Sequence, residues 1–237
     1  MTALNMTAFD AATLDVGALG VRTVNQRLHD PVDGTERSGW RVSNPMGAHN
    51  IAVGLTESMD VHIDGHVGYY CAGMNQKANV MINGHCGWGV AENMMSGMVR
   101  VTGNASQAAA ASGHGGLVII EGDAGHRCGI SMKGIDIVVG GSIGHFGAFM
   151  AQAGHLVVCG DAGPNLGDSI YEAILYVQGS ISSLGADCIE KDMTPEHTET
   201  LRRLLATSDT HANPSAFRRY GSARQLYNFH VDHAATY

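Results

Sequence analysis

Glycine returns seven times at an interval of 19 residues, at Gly65, Gly84, Gly103, Gly122, Gly141, Gly160 and Gly179. A spacing kept this strictly means that the chain is wound as a repeating coil, because a fixed period in this range marks a solenoid. It also limits what the chain can do, since residues committed to stacking are not free for chemistry.

The positions around each glycine describe the coil. Four residues before it stand Val61, Val80, Val99, Val118, Ile137, Leu156 and Leu175; two before it stand Ile63, Ile82, Val101, Ile120, Val139, Val158 and Val177. This alternation is that of a β-strand with its aliphatic side chains on one face. Two residues after the glycine, Val67, Cys86, Ala105, Ala124, Ile143, Ala162 and Ile181 also look inward, from a second short strand. The glycine therefore sits at a corner, where a positive φ is expected; glycine adopts it at almost no cost. Seven positions past it runs a column of small residues, Ala72, Ala91, Ala110, Gly129, Ala148, Gly167 and Ala186, where nothing larger than a methyl is expected to fit.

Nineteen residues is short for a strand–helix unit, and no helical periodicity runs through the repeats. The pattern predicts an all-β fold: a single-stranded, right-handed parallel β-helix of about seven coils. Stacked at about 4.8 Å, they would make a rod roughly 34 Å long. A left-handed hexapeptide helix is disfavoured, because 19 is not a multiple of six. The expected organisation is an N-terminal segment over 1–41, the β-helix over 42–193, and a capping helix with a docking tail over 194–237.

The flanks carry their own signals. Val21–His29 is expected to form a short helix ended by Asp30–Pro31, and Asp33–Gly34 a turn. A degenerate first coil is expected near Val42. After Ala186–Asp187, Thr194–Pro195–Glu196 starts a helix with Thr194 as N-cap and Pro195 in the first turn. Leu201, Leu204 and Leu205 form its apolar face, which is expected to cover the open end of the solenoid. The tail from Asn213 holds Phe217, Tyr220, Leu226, Tyr227 and Phe229, too many aromatics for a solvated segment. It is expected to dock on this rod or on another subunit.

Charge narrows the partners. The net charge is −8, and residues 51–182 hold ten acidic and four basic side chains. No basic stripe is available for nucleic acid or an anionic membrane. The absence of a long apolar run and of a basic, apolar leader predicts a cytoplasmic protein. The five cysteines show no C-x-x-C spacing and are expected to be free thiols.

Several groups invite a catalytic or ligand-binding reading. His66 with His85, and His126 with His145, share columns about 5 Å apart. A zinc site needs three or four protein ligands, however, and neither pair is completed by a carboxylate or thiol. Solvent-facing ladder histidines are the favoured reading. Ser112–Gly113–His114–Gly115–Gly116 resembles a phosphate loop but lacks the lysine and following helix. Asp161, Asp168 and Glu172 could mimic the carboxylate pair of a sugar-cleaving β-helix, yet aromatics and cations are scarce around them. No catalytic, cofactor-binding or metal-ligating residue is therefore assigned. A candidate interface comprises Tyr69, Tyr70, Met74, Asn75, Trp88, Glu92, Asn93, Met94 and Met95, which place aromatics and methionines where a solenoid could manage with small polar groups. The competing reading is that some of them fill the core.

Those same segments carry a resemblance. Asn44–Pro45, His49–Gly54, the GYYCAGMN run from Gly68, the GWGVAENMMSG run from Gly87, Arg127–Gly134, Val158–Gly163 and Leu166–Ala173 are similar to the stand-alone relatives of the C-terminal domain of the glutamate synthase large subunit. The likeness covers roughly residues 42–205, and among those relatives it runs nearest to the β-helical subunit of N-methylglutamate synthases. The family's Gly-x-Gly-x-Gly signature is worn here, as in Ala72–Gly73–Met74 and Gly129–Ile130–Ser131.

The resemblance implies a hetero-oligomer with divided labour. A class II glutamine amidotransferase-like subunit would use its own N-terminal cysteine. An FMN-binding glutamate synthase-like subunit would hold the flavin and an iron–sulfur cluster. This chain would brace the two, with no cofactor of its own. The alternatives are a subunit of a formylmethanofuran dehydrogenase-type one-carbon complex, which shares the β-helix, and an independent β-helix enzyme.

Overall fold

The strand expected in each repeat is present, and the strands stack in one parallel sheet. The structure is a computed structural model describing residues 12–30 and 39–225. The strands are β1 (Ala12–Asp15), β2 (Gly39–Ser43), β3 (Asp60–Asp64), β4 (Asn79–Asn83), β5 (Met98–Val101), β6 (Leu117–Ile120), β7 (Lys133–Val139), β8 (Ala153–Val158), β9 (Ile174–Val177), β10 (Cys188–Lys191) and β11 (Arg218–Ser222). From β3 to β9 the register steps by one repeat: Val61 pairs with Val80, Val80 with Val99, and so on to Leu156 with Leu175. Parallel bridges join Val67, Cys86, Ala105, Ala124, Ile143, Ala162 and Ile181 in a second column. Both sets of expected inward positions line one continuous core. The fold is the right-handed parallel β-helix that the period predicts.

The sheet starts earlier than Val42. β2 pairs with β3 through Ser43 and Asp64, and β1 adds a strand before it through Ala12 and Trp40. Helix α1 (Val16–His29) follows β1. Asp15 caps it, accepting the Ala18 N–H at 3.0 Å; that bond, then one from the Asn44 amide, holds the Asp15 carboxyl below its usual range. Gly20, at φ 74° and ψ 153°, interrupts the helix, so the regular stretch is the expected Val21–His29. Val24 and Leu28 are buried. Asn25 donates to Asn50 O (2.6 Å) and accepts from Ala52 N–H (2.8 Å), and so ties α1 to the first coil.

The C-terminal helix α2 (Pro195–Thr207) begins as predicted, with Thr194 Oγ1 accepting the His197 N–H. It does not lie over the open end. It lies along the flank, with Leu201, Leu204 and Leu205 packed on Val138, Val157 and Tyr176. The reason is legible in one outward strand column, which reads His62, Met81, Arg100 in the early coils and Ile119, Val138, Val157, Tyr176 in the later ones. An apolar outer face needs a cover, and α2 supplies it. The edge after β9 is instead taken by β11, antiparallel, and β10 pairs antiparallel with β11. Phe217 and Tyr220 are buried against this same rod. Asp33–Gly34 and the tail residues Leu226, Tyr227 and Phe229 lie outside the described residues.

The backbone strain falls elsewhere than expected. Among the seven period glycines only Gly65 has a positive φ, 132°. The left-handed residues sit instead in the small-residue column, where Ala72, Ala91, Ala110 and Ala148 lie at φ 54–57° and Gly129 and Gly167 at 70° and 66°, and in the columns two residues before and after it, where Tyr70, Met74, Arg127 and Phe146 lie at 56–60°. What selects glycine at the corner is close approach. A Cβ on Gly103 would stand 2.5 Å from His85 Nδ1 and 2.8 Å from Gly84 O; one on Gly160 would meet Ser142 Oγ at 2.5 Å and Gly141 O at 2.7 Å. Successive coils touch backbone to backbone here, through Gly103 N–H to Gly84 O at 3.0 Å and its equivalents.

Candidate functional site

The corner glycine makes room for the residue after it. His66, His85, Asn104, Asp123, Ser142, Asp161 and Ser180 form a column, and each of the first six accepts the backbone N–H of the next. The distances are 2.9 Å (His85 N–H to His66 Nδ1), 2.8 Å (Asn104 to His85), 3.0 Å (Asp123 to Asn104), 2.7 Å (Ser142 to Asp123), 2.9 Å (Asp161 to Ser142) and 2.7 Å (Ser180 to Asp161). Imidazole, amide, carboxylate and hydroxyl do the same work in turn. The bonds from the Ser180 N–H and hydroxyl hold the Asp161 carboxyl below its usual range.

A second column runs three residues further on, through His49, Tyr69, Trp88, Gln107, His126, His145 and Pro164. Here too a glycine precedes most members: Gly68, Gly87, Gly125, Gly144 and Gly163. His49 Nδ1 accepts the Tyr69 N–H at 2.8 Å, and His126 Nδ1 accepts the His145 N–H at 3.2 Å. The rings stack: His49 on Tyr69 at 4.4 Å, Tyr69 beside Trp88 at 5.8 Å, and His126 on His145 at 3.5 Å between centroids. Desolvation, then His126 and Arg127, keeps the His145 imidazole below its usual pKa. Sequence reasoning missed this second glycine column, although it keeps the same 19-residue step.

The proposed interface residues divide. Tyr69, Tyr70, Met74, Trp88 and Met95 are exposed, by 44–52 %, with Asn93 beside them and Glu92 half-buried. The Tyr70 ring lies over Gly89, where a Cβ would meet it at 2.6 Å and the Glu92 carboxylate at 2.9 Å. Met46, which sequence reasoning passed over, is 88 % exposed at the same end. Asn75 and Met94 face inward and are fully buried. The Asn75 amide donates to Ala78 O (2.8 Å) and Ser96 O (3.2 Å) and accepts the Ala78 N–H (3.1 Å). Met94 occupies a core column with Met132, Ala151 and Ile170. Asn75 and Met94 therefore fill the core, and the other residues of the set lie at the surface or half-buried.

The other candidates are tied into the stack. His66, His85 and His126 already spend Nδ1 on backbone, and among the described residues no group of three His, Cys, Asp or Glu is placed to hold a metal ion. Asp168 accepts Ser169 Oγ–H (2.9 Å) and Ala186 N–H (3.1 Å), and Glu172 pairs with Arg224 at 2.8 Å. In the Ser112–Gly116 loop, Gly116 passes close to Gly97 O, where a Cβ would stand at 2.6 Å. All five cysteines are free, four of them buried. Burial pushes the thiols of Cys86, Cys128 and Cys188 up to about 12 and that of Cys159 to about 11, and raises Cys71 further. A cluster or a nucleophilic role needs accessible thiolates, which these sites disfavour.

A polar group that the sequence did not single out fastens α2. His155 Nδ1 bonds Asp136 Oδ1 at 2.7 Å, and Arg203 of α2 approaches Asp136 at 3.8 Å. Arg100 reaches the other end of α2, donating to Ser208 O at 3.0 Å while pairing with Glu121 at 2.7 Å.

Fold and edge together define a β-helical protein whose polar side chains knit its own coils and whose aromatic and methionine side chains point outward at one end. The chain is similar to Protein GlxC of Rhizobium meliloti (strain 1021), with 55 % identity over 225 residues, 94 % of this chain and 99 % of that protein. It belongs to the GlxC family. No family model and no solved structure matches it. Among the described residues no helix is long and apolar enough to cross a membrane.

Proposed function

We propose that this chain is the non-catalytic β-helical subunit of a glutamate-synthase-like complex. The particular activity inferred is that of N-methylglutamate synthase, which converts glutamate and methylamine to N-methylglutamate and ammonia. The chain would brace a class II amidotransferase-like subunit against an FMN-binding synthase-like subunit, and the flavin and iron–sulfur cluster would reside in the latter. The observation that carries the reading is the contrast between the two kinds of side chain. His66, His85, His126, Asp161 and Asp168 are spent on coil-to-coil bonds and four of the five thiols are buried, whereas Tyr69, Tyr70, Met74, Trp88 and Met95 are presented to solvent. Exposed aromatics and methionines are the residue types enriched at protein interfaces.

The test is purification of the tagged full-length chain from its native host, followed by assay of N-methylglutamate formation. Two further subunits and the activity are expected to travel with it. A W88A/Y69A variant should keep the thermal midpoint within a few degrees and lose the partners. A chain that runs alone, or that acts on a substrate unaided, overturns the reading. Recovery of formyltransferase-type partners would replace it with the one-carbon alternative.

A further inference from the structure

The face with the left-handed backbone carries two outward columns. One runs through Tyr70, Gly89, Ala108, Arg127 and Phe146, the other through Met74, Asn93, Ser112, Ser131 and Met150. Every member but the last donates its N–H to the carbonyl just before the next, at 2.7–2.9 Å, so both columns climb the rod in register. Large apolar side chains stand at both ends of each column, four coils or about 19 Å apart, and Gly89, Ala108, Asn93 and Ser112 lie between them. Tyr70, Met74 and Met150 are exposed by 45, 52 and 37 %. Phe146 is half-buried, with the Phe149 ring 5.6 Å away between centroids.

Tyr70, Met74, Phe146 and Met150 all lie at φ 53–60°. Bulky L-residues rarely adopt this conformation, whereas the glycine in the same column takes it freely. Three of the four are exposed, so the core gains little from them in return. Strain kept without a packing gain points to a functional position. Charge is arranged about the same centre. The Glu92 carboxylate and the Tyr70 ring lie over Gly89, one coil before Ala108. Arg127 is exposed one coil after it. Among the described residues neither Glu92 nor Arg127 forms an ion pair.

We propose that this strip docks a second copy of the chain, antiparallel, about a two-fold axis through Ala108 and Ser112. Such an axis, lying in the plane of the face and across the rod, sets each column against itself and exchanges the coils on either side of the centre. Tyr70 then meets Phe146 of the second copy, Met74 meets its Met150, and the carboxylate over Gly89 meets its Arg127. Each contact occurs twice, as an isologous interface requires. Small side chains at Ala108 and Ser112 let the two strips approach at the axis. Aromatic, methionine and arginine side chains are the types enriched at interfaces. Parallel rods would instead set Glu92 against Glu92 and Arg127 against Arg127, which like-charge repulsion disfavours. Tyr69 and Trp88 stand on the corner column beside the strip. The inference is therefore independent of the glutamate-synthase-like reading, and it is tested on the purified chain alone.

The experiment is sedimentation velocity on the full chain from about 5 to about 500 µM, a range suited to a small, reversible interface. A monomer–dimer equilibrium is expected. Glu92→Arg and Arg127→Glu, each alone, set like charges across the axis and should weaken association by about tenfold or more. An equimolar mixture of the two variants should associate again, because each supplies the charge that the other lacks. The E92R/R127E chain should dimerise with itself for the same reason. A native chain that stays monomeric over the whole range overturns the proposal and leaves the strip to a different subunit. Single variants that dimerise as well as the native chain, or a mixture that stays monomeric, overturn it as well. If a charge variant does not fold, a photo-cross-linking benzoylphenylalanine at position 146 decides, irradiated with isotope-labelled native chain. A cross-link to the labelled segment around Tyr70 supports the proposal; a cross-link elsewhere, or none, refutes it.

Discussion

Replacing Gly103 by alanine sets two effects of opposite sign against each other. Gly103 does not have a positive φ, so alanine can adopt its backbone conformation. On that ground alone the change would stabilise by about 0.4–1 kcal/mol, through a less flexible unfolded chain. The geometry argues otherwise. The new methyl carbon would stand 2.5 Å from His85 Nδ1 and 2.8 Å from Gly84 O, well inside normal contact distance. The ring could swing away, which would forfeit the 2.8 Å bond from Asn104 N–H, but the Gly84 carbonyl is held by the Gly103 N–H itself and cannot move without losing that bond. Overpacking of this kind costs roughly 1–3 kcal/mol, and a lost hydrogen bond about 1 kcal/mol more. Subtracting the backbone gain leaves a net destabilisation of about 1–3 kcal/mol. Urea unfolding followed by far-UV circular dichroism measures it as a lower midpoint at unchanged slope. A G103A midpoint equal to or above the native one would refute close approach as the reason for the glycine column.

Two further outcomes follow from burial. Asn75→Ala is expected to lower stability by about 2–4 kcal/mol, because it strips partners from the buried Ala78 N–H and C=O and from the part-buried Ser96 carbonyl; thermal unfolding tests this, and a loss of partner binding at unchanged midpoint would show an interface role instead. Native chain treated with a thiol reagent at pH 8 should label at Cys159 first and slowly, with Cys71, Cys86, Cys128 and Cys188 reacting only in denaturant; mass spectrometry of the labelled peptides would expose any buried thiol that reacts early.

The strand columns were legible because alternation and a fixed step act on every coil, so one error in a single repeat cannot hide them. The meaning of the glycine was not. A sequence reports that a Cβ is unwelcome but not whether φ or a neighbour forbids it, and here the alanines at Ala72, Ala91, Ala110 and Ala148 carry the left-handed backbone while the glycines carry the contact. Met94 was legible in principle: its column mates Met132, Ala151 and Ile170 mark an inward position. Reading the segment along the chain, rather than down the column, put it with the exposed Met95. Asn75 breaks that apolar column and looks like a surface residue until its three backbone bonds are seen. The site of α2 was encoded in the drift from Arg100 to Ile119, Val138, Val157 and Tyr176, a signal spread over coils and invisible within any one of them.

The 19-residue register, kept without a shift from β3 to β7 and interrupted between β7 and β8 where Lys133 pairs with Ala153, turns chain length into a ruler. Since the turns from β3 to β6 meet their neighbours through the same strand pairing, deleting or adding one whole repeat there would preserve the strand junctions, while deleting a few residues would throw all later columns out of phase. The distance between the α1 end and the β10–β11 end can therefore change only in increments of about 4.8 Å, and whatever is gripped at the two ends must tolerate that graduation.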